Sequence, residues 1–349
     1  MTKITSNIQE AIDLLNNNDV VAIPTETVYG LAGNIYSDKA LNKIYELKKR
    51  PHFNPLIVHV NSIDKLKLVA KEIPEKALQL ANAFWPGPLT LILKKQDSIS
   101  SIISAGKETV AVRVPNHPIA LELLNRLDFP LAAPSANPFT SISPTSSQHV
   151  FEYFNTELPL ILEGGNCEKG VESTIIGFEN NNPVLYRHGS ISIEEIEKEV
   201  GKVIVFTNDD VAPNAPGMLK KHYAPKTPII LTKLVNDLIE KYKGQKIGLL
   251  VFNSKIDNDE IKHQEIVSPN NNLNEAAANL YAALHKLDKL DFDSNSIQAI
   301  VLCPTRELAV QVKREIDKIG KYVPSYMTSR VYQNSRFPPT VPYACRVTK

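Results

Sequence analysis

Cysteine is scarce in this chain of 349 residues: Cys167, Cys303 and Cys345 are its only thiols. They are too few and too scattered for a disulfide framework or a structural zinc site. An apolar stretch of about eighteen residues and a signal-like N-terminus are both lacking, so no membrane span is expected and the cytoplasm is the default compartment. Thirty-nine basic residues offset 38 acidic ones to a net charge of +1. That balance argues against a strongly electrostatic nucleic-acid binder, although a local basic cleft would not show in the total. No carboxylate cluster reads as a dedicated metal cage. With 43% hydrophobic and 22% charged residues, the composition is that of an ordinary globular chain long enough for two domains.

A phosphate loop is lacking too. Ala105-Gly106-Lys107-Glu108-Thr109 has the end of one, but the first glycine and the adjacent Lys-Ser/Thr pair are missing, and it leads into a strand where a helix is needed. Glycine itself is uneven, ten of the fourteen lying in residues 1–201, which suits a loop-rich catalytic domain ahead of a plainer one. From about residue 206 the chain turns polar, with Pro213, Pro216, Pro225 and Pro228 and no clear period, so residues 206–228 read as a linker.

Hydroxyls and cations gather near the start. A buried strand, Val20-Val21-Ala22-Ile23, runs into Pro24, which ends the ladder and leaves Thr25 and Thr27 on a loop. A helix predicted over 39–47 stops before Pro51, so Lys48, Lys49 and Arg50 project from its C-terminus. That placement suits an anion such as a triphosphate, or simply complements the helix dipole. Residues 109–115 alternate and put Thr109, Ala111 and Arg113 on one face. An inward Arg113 is either a bidentate clamp for a substrate carboxylate or half of an internal ion pair.

The stretch from Pro130 to Pro138 is a short apolar strand followed by small polar residues, so Ser135 and Asn137 can bond sugar or phosphate oxygens. Ser143-Pro144-Thr145 reads as a helix start, with Ser143 as cap and free N–H groups suited to phosphate. Two glycine-bearing segments around 163–165 and 170–175 bracket a turn that brings Ser173 and Thr174 to the sheet's mouth. Cys167 between them reads as a packing residue. A second isolated arginine, Arg187, follows a strand.

These segments together resemble the YrdC-type L-threonylcarbamoyladenylate synthases in their long, two-domain form. Seven blocks stand in the family's order: PTETVYGL from Pro24, the KKRP loop from Lys48, residues 84–93, 109–118, 133–145 and 171–175, and the linker segment 215–225. His188 stands where the family more often has proline. The resemblance implies an α/β (mixed α+β) fold, a twisted open sheet with flanking helices over residues 1–205. A smaller Rossmann-like domain would occupy 229–349.

It also implies an enzyme, a nucleotidyltransferase making threonylcarbamoyl-AMP and diphosphate from L-threonine, bicarbonate and ATP. The product would pass to the machinery that builds threonylcarbamoyladenosine on tRNA. Thr27, His59, Arg113, Ala133 and Ser173 would line a threonine pocket. Arg50, Asn54, Thr109, Ser135, Ser143, Arg187 and Tyr223 would hold ATP, Tyr223 arriving on a linker that folds over the site. Lys48 and Arg50 would stabilise charge at the phosphates, and magnesium would ride on the triphosphate.

In the second half, strands are predicted over 246–252 and 297–303 and helices over 272–287 and 306–319, an alternation that fits a small Rossmann-like domain. From about residue 300 the chain departs from the family: Pro304-Thr305-Arg306-Glu307-Leu308-Ala309 resembles a segment of DEAD-box RNA helicases. Without a phosphate loop or an Asp-Glu-Ala-Asp motif it cannot be a working helicase. Two rival functions stay open, a weak RNA-binding module and a carbamoyl-transfer maturation factor built on the same domain. Salt-sensitive, threonine-independent binding would mark the first, and competition by carbamoyl phosphate the second.

Overall fold

The computed structural model describes residues 1–206, 225–226, 229–231, 235–259, 261–290 and 297–301. Tyr223, most of the expected linker, the helix expected over 306–319 and the helicase-like segment lie outside these residues.

Twelve strands build the first sheet: β1 Lys3–Thr5, β2 Val21–Ile23, β3 Gly30–Asn34, β4 Ile57–His59, β5 Ala70–Lys71, β6 Leu89–Lys95, β7 Thr109–Arg113, β8 Leu131–Ala132, β9 Leu160–Leu162, β10 Thr174–Glu179, β11 Asn182–Arg187 and β12 Ile204–Val205. Their order is β1-β9-β2-β3-β8-β4-β7-β6-β10-β11-β12, with β5 beside β6. Parallel and antiparallel pairs mix: β4 and β7 run parallel, β6 and β7 antiparallel. Helices α1 Ile8–Asn16, α2 Asp38–Lys48, α3 Glu75–Phe84, α4 Ser101–Ser104, α5 Pro118–Arg126, α6 Ser147–Phe154 and α7 Ile193–Val200 flank it. Both faces of β7 are covered, since Val110 and Val112 are as buried as Ala111 and Arg113. Its alternation therefore sorts residues between two packed layers and not between core and solvent.

Local chemistry sets the element that carries the cations. Ser37 caps α2 by accepting from the Ala40 amide, and Asp38 complements the dipole in the first turn. Ala40, Leu41, Ile44, Tyr45 and Lys48 form its buried face, and Lys49 closes the helix in the left-handed region at φ 51°. The helix thus ends one residue beyond the predicted 39–47, which turns Lys48 inward.

A second, four-stranded sheet comprises β13 Ile229–Leu231, β14 Ile247–Val251, β15 His263–Ile266 and β16 Ile297–Val301, in the order β13-β16-β14-β15 and parallel throughout. Helices α8 Val235–Lys241 and α9 Leu273–Asp288 accompany it. Asn272 caps α9 by accepting from the Asn274 and Glu275 amides.

Helix α9 joins the two sheets. Val28 and Ile142 of the first unit share one hydrophobic cluster with Leu280, Tyr281 and Leu284 of α9. The His149 and His285 rings stack with centroids 3.9 Å apart, and Lys289 pairs with Glu152 at 2.6 Å. Gly170 is required where the helix docks: at φ +65°, a Cβ there would stand 2.2 Å from the Ala278 carbonyl oxygen.

Candidate active site

The ends of β4 and β7 and the loops after β2, β8 and 170 face one solvent-open hollow of about 530 Å3 counting its mouth. Thr27, Arg50, His59, Arg113, Ala133, Ser135, Ser173 and Arg187 all line it, together with Glu172. Residues up to 160 positions apart in sequence, Thr27 and Arg187, are thus brought together.

The 24–28 loop is folded by its own hydroxyls. Thr25 Oγ1 donates to the Val28 carbonyl at 2.6 Å and accepts from the amides of Thr27 and Val28 at 3.2 Å. That turn presents Thr27 Oγ1 to Arg113 Nη1 at 2.9 Å, while Arg113 Nε donates to the Gly87 carbonyl at 3.2 Å. Arg113 Nη2 stands 2.6 Å from Glu26 Oε1, with the two side chains 5% and 2% exposed. Charge is matched there but alignment is not, because neither Glu26 oxygen nor Arg113 Nη2 makes a hydrogen bond. The internal ion pair is therefore formed, and the Arg113 guanidinium also lines the hollow.

In register with Arg113 on the neighbouring strand is His59. Burial, with the Arg113 charge adding to it, pushes the imidazole down to about 3, so it is neutral near pH 7. Its Nδ1 has no hydrogen-bond partner. Across the hollow, Arg187 Nη2 donates to the Ser173 carbonyl at 2.8 Å and to Ser173 Oγ at 2.9 Å, and Ser173 Oγ lies 2.7 Å from Thr90 Oγ1. Gly189 lets this corner close, since a Cβ there would stand 2.4 Å from the Glu172 carbonyl oxygen. Arg50 donates from Nε to the Asn54 carbonyl at 3.1 Å and from Nη2 to the Pro55 carbonyl at 2.7 Å.

Four expected site residues stand elsewhere. Lys48 is 1% exposed, and its ammonium donates to the carbonyls of Ser135 at 2.5 Å and Asn137 at 2.6 Å. It is a strut under the 135–137 loop and does not touch the hollow; burial holds its pKa well below the usual lysine value. Thr109 sits at the far end of β7, paired with Lys94 and lining another hollow with Glu72 and Tyr186. Four residues along a strand separate it from Arg113 by about 13 Å. Ser143 is not a helix cap, because α6 starts at Ser147 with Ser146 as its cap. The Ser143 hydroxyl donates to Glu172 Oε1 at 2.5 Å instead. Asn54 is fully buried behind Arg50, with neither side-chain atom hydrogen-bonded.

Glu26 and Glu172 carry no signal of their own in the sequence, although each lies inside a family block, between Thr25 and Thr27 and beside Ser173 respectively. Tyr281 OH donates to Glu172 Oε2 at 2.7 Å, a contact across 109 residues for which the sequence gives no signal. Cys167 is buried, and burial raises its thiol pKa, as suits a packing residue. Among the described residues no group of three or more His, Cys, Asp or Glu side chains could hold a metal ion. No described helix is long and apolar enough to cross a membrane.

Comparison with known proteins places this geometry. The Sua5/YciO/YrdC family model, described as telomere recombination, matches residues 13–189, and the threonylcarbamoyl-AMP synthase C-terminal domain model matches 191–312. The second match runs past residue 300, into the stretch whose sequence departs from the expected pattern. A threonylcarbamoyl-AMP synthase of Pyrococcus abyssi is 41% identical over 300 residues, 82% of this chain and 86% of its own length. One of Bacillus subtilis is 41% identical over 297 residues, with the same coverage. The crystal structure of P. abyssi Sua5 complexed with L-threonine superposes with a TM-score of 0.84 at 36% identity, covering 92% of this chain and 98% of that one. The chain belongs to the Sua5/YciO/YrdC family, in the form that carries the threonylcarbamoyl-AMP synthase C-terminal domain.

Proposed function

We infer that this chain is an L-threonylcarbamoyladenylate synthase, a nucleotidyltransferase that converts L-threonine, bicarbonate and ATP into threonylcarbamoyl-AMP and diphosphate. The observation that carries this reading is the hollow itself, where Arg50, Arg113 and Arg187 converge with the hydroxyls of Thr27 and Ser173 and a neutral His59.

Such a site has two anions to hold and no covalent nucleophile to supply. Arg113, fixed by Glu26, Thr27 and Gly87, presents a preorganised fork to the threonine carboxylate. His59, Ala133 and Ser173 close that end, with the neutral His59 imidazole beside the Arg113 guanidinium. Arg50, Arg187 and Ser135 take the nucleotide, and Lys48 holds the Ser135 loop in place from beneath. The threonine amine adds to the carbon of bicarbonate, releasing water and leaving a carbamate. A carbamate oxygen then attacks the α-phosphorus in line, and diphosphate departs as its bond to that phosphorus breaks.

Magnesium carried with the triphosphate would supply charge neutralisation there, with the arginines of the hollow and, among the described residues, no carboxylate cage as its surroundings. Residues 1–205 are assigned as the catalytic unit, 206–228 as the linker and 229–349 as the second unit; Tyr223, an ATP contact by family resemblance, lies outside the described residues. The helicase-like segment beyond 300 takes no part in the chemistry. The product is consumed in the cytoplasm by a transferase acting on tRNA. Incubating the chain with ATP, threonine and labelled bicarbonate tests the reading: diphosphate release must depend on threonine. Threonine-independent release, or salt-sensitive RNA binding with no release, would contradict it.

A further inference from the structure

We propose that α9 is a working part of the nucleotide pocket, with Tyr281 as a positioning residue that acts through Glu172; this rests on the nucleotide placement proposed above. Among the described residues, Glu172 is the one acidic residue lining a hollow whose other polar side chains are arginines, hydroxyls and a neutral His59. A carboxylate beside a triphosphate opposes binding unless its charge is turned aside and hydrogen-bonded. Here it is held from two sides. Ser143 Oγ donates to Oε1 at 2.5 Å from within the catalytic unit, and Tyr281 OH donates to Oε2 at 2.7 Å from the second unit.

The helix that carries Tyr281 has little freedom to drift. His285 Nε2 lies 3.1 Å from the Ser143 carbonyl, so α9 grips both residues of the pair one helical turn apart. The Tyr281 ring is 2% exposed, within the cluster that takes in Val28 and Ile142. Gly170, two residues before Glu172, admits the Ala278 backbone so closely that no side chain would fit. Helix, loop and carboxylate are thereby locked in one arrangement, and the second unit sets the charge that ATP meets.

Calorimetric titration of the full chain with magnesium ATP tests this. Tyr281→Phe keeps the ring and removes the hydroxyl; its ATP dissociation constant should rise about tenfold, the usual effect of losing one hydrogen bond to a buried charge. Threonine affinity should not change. Beside Glu172→Gln the same substitution should have no further effect, because no charge is left to restrain. Ser268→Ala removes a hydrogen bond to Glu275 near the start of α9 and controls for general loosening; it should bind ATP as the wild type does. The proposal is overturned if Tyr281→Phe binds ATP normally, if its loss persists beside Glu172→Gln, or if Ser268→Ala reproduces it. Failure of the underlying nucleotide placement reads differently: the wild-type chain then binds no ATP, and the proposal falls with it.

Discussion

Arg113 and Glu26 face each other at 2.6 Å, almost wholly buried, with no hydrogen bond aligned between them. A buried charge pair of this kind contributes little net stability, but removing one partner strands the other. Under the proposed function its role is to hold a guanidinium ready for a second carboxylate.

Arg113→Ala should therefore abolish measurable threonine binding while ATP still binds. The loss of one buried charge-assisted contact corresponds to about 2 to 5 kcal/mol. Glu26→Gln, which keeps the shape and removes the charge, should raise the KM for threonine with little change in that for ATP. Unchanged threonine affinity in Arg113→Ala by calorimetry would remove Arg113 from the pocket.

Arg50→Ala should weaken ATP far more than AMP, because the lost contact is to charge beyond the α-phosphate. Parallel titrations with the two nucleotides decide this. Equal weakening of both would place Arg50 at the adenosine end.

Acid should loosen the molecule through its buried histidines. Burial lowers His59 to about 3 and His149 and His285 to about 4, from an ordinary 6.5. The folded state thus binds fewer protons than the unfolded one between about pH 4 and 6.5, so stability is full above 6.5 and falls as pH drops through that window. Because His149 and His285 stack between α6 and α9, His285→Gln should flatten the decline. Denaturant midpoints at pH 7.5 and 5 that coincide in the wild type would refute this.

Gly170→Ala should destabilise the junction by about 1 to 3 kcal/mol, since the new Cβ meets backbone at 2.2 Å and φ is +65°. Thermal unfolding shows the loss directly. A melting temperature equal to that of the wild type would mean that α9 is not seated on this loop.

What could be read from the sequence was local. The 24–28 loop, the presence of α2 before Pro51 and the inward Arg113 each follow from a proline, a cap or an alternation within ten residues. Thr109 shares a face of β7 with Arg113 but lines another hollow, because alternation reports a face and not which end of a strand meets the site. Lys48 was misplaced because a helix one residue longer turns its last lysine into the core. β13 and β15 were missed as three- and four-residue strands with too few alternations to register. Glu172 and Tyr281 meet across 109 residues, through a contact that only the docking of two units creates.

One hollow is proposed to join threonine's carbamate to the α-phosphate of ATP, and product analysis after incubation with labelled bicarbonate, threonine and ATP tests this most directly. Label should appear in a threonine-containing adenylate in equal amount to the diphosphate released, and Arg113→Ala should form neither. Diphosphate released without label in an adenylate, or equal release when threonine is omitted, would contradict it.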